Sequence, residues 1–298
     1  MRLTATAGLA YGHARVRARK SHLVPAAVIR SLVTADQPAL TVDGWRDVRG
    51  DADAPALLAL VYARLIGDYV MTLRAFPAAR AVLEALARLH ELENVKLAWR
   101  AVVHRAPPAA WHDAWRPMGA LETVRRQDCD VLATVRQLAG VLGATPYARI
   151  ARDVAAAHAD DLAAAELAFD RWGSSALAAA ALALPRRERL ARDLACLVVR
   201  ERDAAIMARA IQVLGVAPEL APRLCALPVE EPRGERRIRA ARRLACRRAF
   251  LGDPFTLAPP LALLLMREDE ARALLSVGEL RARGADAATA LRVLDFDG

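Results

Sequence analysis

Lysine occurs at only two positions in the 298 residues, Lys20 and Lys96, and aromatic residues make up just 5%. Strands favour β-branched and aromatic side chains, whereas the straight-chain residues that dominate here lose little rotamer freedom in a helix. With Ala, Leu and Arg abundant, the expected class is all-α. Cysteine is sparse as well. Cys129, Cys196, Cys225 and Cys246 form no C-x-x-C pair, which argues against a disulfide framework or a thiolate zinc site and for buried small hydrophobes in a reducing compartment. The six histidines (His13, His22, His90, His104, His112 and His158) are isolated, with no H-x-x-x-H spacing.

Other absences narrow the chemistry further. There is no G-x-x-x-x-G-K-[ST] loop and no G-x-G-x-x-G turn, so no recognised phosphate cradle. Ser174 and Ser175 lack a His or Asp context for a nucleophile. Apolar runs near Ala176–Leu184 and Phe255–Met266 fall short of the roughly 20 residues of a membrane span. The N-terminus has no long apolar run and turns basic by Arg15, so no secretory segment is expected and the chain reads as cytoplasmic. No catalytic residue, cofactor, metal site or small-molecule substrate is expected.

What is present is positive charge. Lys and Arg number 43 against 34 Asp and Glu, a net charge of +9. That favours an anionic neighbour, whether nucleic acid, lipid headgroups or an acidic protein, without choosing among them. The Arg-for-Lys bias is also what a GC-rich genome would give.

Ala87–Val102 is the most organised stretch. Leu86, Leu89, Val95, Trp99 and Val102 recur at helical steps, with Leu92 bridging one gap, which predicts an amphipathic helix with Trp99 in the core. Glu93 and Lys96 are spaced to pair on its surface. The pattern returns around Val199–Met207 and Met266–Leu274. The aligned triplets are Glu91/Glu201/Glu268, Glu93/Asp203/Glu270 and Leu97/Met207/Leu274, and three copies predict three related helical units. Within each pair the carboxylates are two apart, so they diverge by about 200° and cannot share one proton or metal.

Along the chain, residues 10–24 read as a helix and Thr34–Pro55 as a loop or short helix. Pro55–Phe76 is helical, Phe76-Pro77 breaks it, and the next helix runs from about Ala78 to His104. Arg105–Gly119, with Pro107, Pro108 and Pro117, is a long ordered connection. Its Trp111, His112 and Trp115 either form a small ligand pocket or cover neighbouring helix ends. Glu122–Leu142 is predicted as helix and Tyr147–Leu184 as a helical pair, with Trp172-Gly173-Ser174-Ser175 a break or tight packing point. Equivalent helices should start near Ala78, Pro185 and Pro260. Val216–Gly234 holds four prolines and is the least regular part.

Taken together, these stretches resemble the C subunit of bacterial and archaeal V/A-type rotary ATPases, called subunit d in eukaryotic V-ATPases. The resemblance rests on Tyr11-x-x-Ala14-Arg15-Val16-Arg17, on Glu93-Asn94-Val95-Lys96 with Arg100, and on the Pro117-Met118-Gly119 turn. It continues in the Glu201-x-Asp203 helix ending at Gly215, and in Asp253-Pro254-Phe255 followed by Met266-Arg267-Glu268-x-Glu270. The resemblance implies three pseudo-repeated helical bundles arranged as a funnel. Residues 1–125, 126–217 and a shortened 218–298 would be the lobes. It also implies a non-catalytic subunit, peripheral at the inner face of the cell membrane. Its partners would be the shaft subunits and the proteolipid ring, with only indirect membrane contact, and it would carry torque for ion transport. Glu91, Glu93, Asn94, Lys96, Glu201, Asp203, Glu268 and Glu270 are then the candidate socket residues. The chain departs from the family's pattern in its short, Pro-rich Val216–Gly234 and in Phe169-Asp170-Arg171-Trp172, where paired aromatics are common.

Arg233–Arg248 carries eight arginines over a stripe of Ile238, Ala241, Ala245 and Ala249. Arg239, Arg242 and Arg243 are the expected face toward an anionic shaft or ring; the alternative is a solvated face offset by Glu230, Glu231 and Glu235. The competing functions are a basic all-α nucleic-acid-binding protein, although no named reader motif is present, and a helical scaffold outside the ATPase.

Overall fold

Helix initiation and termination follow the proline and glycine positions. The computed structural model describes residues 2–34, 54–229, 235–286 and 288–289. Ten α-helices occur among them: α1 (Arg2–Ser21), α2 (Ala26–Thr34), α3 (Ala54–Ala75), α4 (Arg80–Val103), α5 (Val135–Val141), α6 (Ala148–Ala157), α7 (Leu162–Leu182), α8 (Arg189–Leu214), α9 (Glu235–Ala249) and α10 (Ala258–Ala282). Among the described residues there is no strand, so the all-α expectation holds. Phe76 ends α3, and a 3₁₀ turn at Pro77–Ala79 leads into α4. Pro259 and Pro260 sit in the first turn of α10, where a missing N–H removes no helical bond. At its far end α8 is stopped by Gly215, whose φ of 64° is left-handed and strains any residue with a Cβ.

Five long helices close into a ring. α3 packs on α4, α4 on α7, α7 on α8, α8 on α10, and α10 back on α3. α9 lies across α8 and α10, while α1 and α2 brace α10. The main core takes residues from all three stretches 1–125, 126–217 and 218–298, including Val16, Tyr69, Phe76, Leu194 and Leu264. A second cluster surrounds Trp99, Tyr147 and Phe169. Trp99 is fully buried, as its helical stripe predicts, and meets Phe169 edge to face at 5.2 Å between ring centroids. Trp111 and Trp115 join this cluster, so they cover helix ends, and His112 Nε2 contacts Asp130 at 2.6 Å.

The three motif helices start where expected, at Arg80, Arg189 and Ala258. Each follows a helix that it packs against across a short connection. Gly173 is a packing point and not a break, because α7 runs straight through it. A Cβ there would lie 2.9 Å from both Leu89 Cδ2 and Leu92 Cδ2.

Three expectations need correction. Glu122–Leu142 is not one helix. It contains a 3₁₀ turn at Arg126–Asp128, and only Val135–Val141 is α-helical, started by a capping box between Thr134 and Gln137. The backbone N–H groups of Thr123 and Val124 are taken by the Glu91 carboxylate, which holds the chain in an extended turn. α4 is more than an amphipathic surface helix: Glu91, Asn94 and Lys96 are buried with its apolar residues. Finally, Pro55–Ala75 is long and apolar enough to cross a membrane by length and composition. Arg64 and Asp68 interrupt it, so no single apolar run stands out, and half of its most apolar window is buried within the fold. The expectation for Thr34–Pro55 falls, over residues 35–53, outside the described residues.

Candidate functional site: a charged cavity inside the helix ring

A half-open cavity of about 530 Å³ is lined from α3, α4, α8, α9 and α10 and by Arg116 of the connection after α4, with no lining residue from α7. One carboxylate from the middle of each motif helix faces it: Glu93, Glu201 and Glu268. Arg116, Arg202, Arg239, Arg242 and Arg272 share the lining with His90 and Tyr62. Acid and base alternate on a wall of stiff helices.

The pairs of carboxylates do diverge, as the helix period requires, and each partner points away from the cavity. Glu91 accepts from Val124 N–H at 2.9 Å, from the Thr123 hydroxyl at 2.7 Å and from the Tyr147 hydroxyl at 3.0 Å, and also from Thr123 N–H. Asp203 accepts from Ala226 and Leu227 N–H at 3.0 and 3.1 Å and from the Ser174 hydroxyl at 2.6 Å. Each of the two hooks a loop that follows its own helix in the chain. Asn94 does the same for the Arg105–Gly119 connection, donating to Arg116 C=O at 2.8 Å and accepting from its N–H at 2.9 Å.

These environments correct the sequence alignment. Glu93, Asp203 and Glu270 are not equivalent: Glu93 faces the cavity, Asp203 holds a loop, and Glu270 pairs with Arg267 at 2.6 Å. The first motif is two residues out of phase with the others. Carboxylates at either position satisfy a sequence match, but only helix rotation decides which one looks inward.

Ion clusters lie where α4, α7 and α8 meet, where α8, α9 and α10 meet, and between α3 and α10. Between α4, α7 and α8, Lys96 binds Glu93 at 2.7 Å and Asp170 at 2.8 Å. Asp170 also meets Arg202 at 3.2 Å and Arg209 at 3.1 Å, while Glu166 takes Arg209 at 3.2 Å and Arg100. The expected Glu93–Lys96 pair therefore exists but is largely buried. Where α8, α9 and α10 meet, Arg242 contacts Glu201 at 2.9 Å and Asp269 at 2.6 Å. Arg239 binds Glu201 at 3.1 Å, and Arg243 lies 3.8 Å from Asp269. Between α3 and α10, Arg267 binds Asp68 at 2.9 Å and Glu270.

The second cluster overturns the outward face expected of Arg239, Arg242 and Arg243. Arg242 is buried, and the inner stripe of α9 is Ile238, Arg242, Cys246 and Ala249. The apolar count placed Ala241 on that stripe, yet Ala241 is exposed. An arginine with two internal carboxylates can occupy a core position that hydrophobic periodicity assigns to alanine. Of the offsetting carboxylates, Glu235 does bind Arg239; Glu230 and Glu231 lie outside the described residues.

The electrostatics agree with a charged, structured wall. Burial opposes ionisation of Glu93, but Lys96 and then Arg116 hold its carboxyl down at about 2. Glu201 is likewise buried yet held below the ordinary range, chiefly by Arg242 and Arg272. Burial also works against Glu268, which His90 at 3.1 Å and the Tyr69 hydroxyl keep low. Arg242 is raised by Asp269 and Glu201 despite its own burial. Burial pushes the Tyr62 hydroxyl and the Cys129 and Cys246 thiols up to about 12, so these groups stay protonated near neutrality. Among the described residues no group of three or more His, Cys, Asp or Glu is arranged to hold a metal ion.

Compared with known proteins, the chain matches no family model and no curated protein.

Proposed function

We propose that this chain is a non-catalytic coupling subunit of the kind found in V/A-type rotary ATPases, seated between a central shaft and a membrane proteolipid ring. The observation that carries the reading is a half-open cavity between long helices to which α4, α8 and α10 each contribute one mid-helix carboxylate. The order of the motifs along the chain supports it. So does the pairing of each motif helix with the helix before it, which is what three pseudo-repeated bundles would give. A rigid wall with alternating Glu and Arg suits the end of a polar shaft, since it offers many directional lateral contacts and no reactive group. The carboxylates and arginines of the wall would set orientation and encounter rate more than raw affinity. In this reading the protein sits at the cytoplasmic face of the membrane.

The nucleic-acid alternative loses much of its footing, because Arg239, Arg242 and Arg243 engage internal carboxylates. The test is co-purification of the tagged chain with purified shaft subunits and with a detergent-solubilised proteolipid ring. Capture of both by the parent chain, and loss of shaft capture in Glu93→Lys and Arg272→Glu variants that keep parental helicity, are expected. Failure of the parent to capture either component rejects the reading.

A further inference from the structure

The outer face of α9 has a use that the central cavity does not need. Arg237, Leu244, Arg247, Arg248 and Leu251 recur at three-, four- and seven-residue steps, so they share one stripe. All are exposed, opposite the buried Ile238, Arg242, Cys246 and Ala249. Leu251 is 86% exposed, Leu244 48%, and Phe255 in the following turn 55%. Among the described residues no carboxylate pairs with Arg237, Arg247 or Arg248. Isolated surface leucines need no explanation, but three large apolar side chains interleaved with unpaired arginines form a patch. α1 adjoins it: Lys20 Nζ lies 4.4 Å from the Phe250 ring centre, and Phe255 packs at 5.9 Å on His13.

We propose that this stripe, with the Leu251–Phe255 corner, binds directly to an anionic lipid surface. Guanidinium groups attract headgroup phosphates and carboxylates, while Leu244, Leu251 and Phe255 gain by leaving water for the acyl boundary. Nucleic acid is the weaker match, since a phosphate backbone returns nothing for burying two leucines. A long arginine stem covers apolar surface with its charge still in water, which lets both residue types work at one depth. This inference stands apart from the coupling role, because pure lipid vesicles contain no ATPase subunit.

The experiment is vesicle co-sedimentation of the full chain. Phosphatidylcholine–phosphatidylserine vesicles should retain it, pure phosphatidylcholine vesicles should not, and added salt should weaken retention. Reversing Arg237, Arg247 and Arg248 to Glu should lower vesicle affinity on the order of a hundredfold. Leu251→Ser with Phe255→Ser, which leave charge unchanged, should lower it by about tenfold or more. All five positions are exposed, so circular dichroism should match the parent. No binding of the parent to anionic vesicles overturns the proposal. Parental affinity in the serine variant also overturns it, as that leaves a merely basic face. Retention of single-stranded RNA that depends on the arginines but not on Leu251 would assign the stripe to nucleic acid instead.

Discussion

Replacing Arg267 with methionine tests whether the ion cluster between α3 and α10 is part of the core. Its guanidinium is almost completely enclosed, with Asp68 Oδ2 at 2.9 Å and Glu270 oxygens at 2.7 and 2.6 Å. Methionine keeps the apolar stem and deletes the charge, leaving two buried carboxylates to Arg19, 3.5 Å from Asp68, and to the more distant charge of Arg64. Removing one side of a buried pair costs about 3–5 kcal/mol. For a chain of this size that lowers the melting temperature by about 6–20 °C. The cost should also depend on pH. Burial raises Glu270 above its ordinary value of 4.5, against the pull of Arg267. A carboxyl raised in the folded state binds its proton more tightly there than in the unfolded chain. Its stabilising contribution is present below the ordinary value and is lost as pH rises through the folded value. Without Arg267 the folded value climbs further, so the penalty should be full near pH 7 and clearly smaller near pH 5. Urea unfolding at the two pH values measures this. A cost under about 1 kcal/mol, or one independent of pH, would refute the buried-charge account.

Other outcomes follow from the same geometry. Glu91→Ala should cost about 2–4 kcal/mol, because the Thr123 and Val124 N–H groups and the Tyr147 hydroxyl lose their acceptor; an unchanged urea midpoint would count against the hook. Gly173→Ala gains helix propensity, but its Cβ meets Leu89 and the fully buried Leu92, so thermal unfolding should show a net loss of about 1–3 kcal/mol; a stabilised variant would mean the leucines yield freely. Glu93, held at about 2, contributes stability that is present above the ordinary 4.5 and lost as pH falls toward 2. Lys96→Met should flatten that acid limb of the stability profile, and an unaltered limb would show that Lys96 is not the cause.

Helix existence was legible wherever apolar residues recur at three and four over several turns. Trp99 and the starts of α4, α8 and α10 follow from that period and from Pro77, Pro185 and Pro260. Glu122–Leu142 was not legible, since its backbone bonds go to Glu91, more than thirty residues earlier in sequence. The inner stripe of α9 misled for a related reason. A count of apolar residues assigns arginine to water, and only the arrival of Glu201 and Asp269 from two other helices makes Arg242 a core residue. Which carboxylate of each motif lines the cavity depends on a helix rotation that a two-residue spacing cannot encode. A buried polar pair such as Glu91 and Asn94, three apart and beside leucines, was the available sign that α4 has no free face.

The placement of the ion clusters at the junctions between ring helices also fixes the register of those helices. Two leucine faces slid past each other by one turn find new leucines, and the loss is small. Sliding Lys96 one turn away from Asp170 on α7, or Arg267 from Asp68 on α3, removes the ionic partner across the joint while the charges stay buried. Three such junctions lock the helices lengthwise as a keyed joint does, so a load applied along one helix passes to its neighbours before any helix can slip.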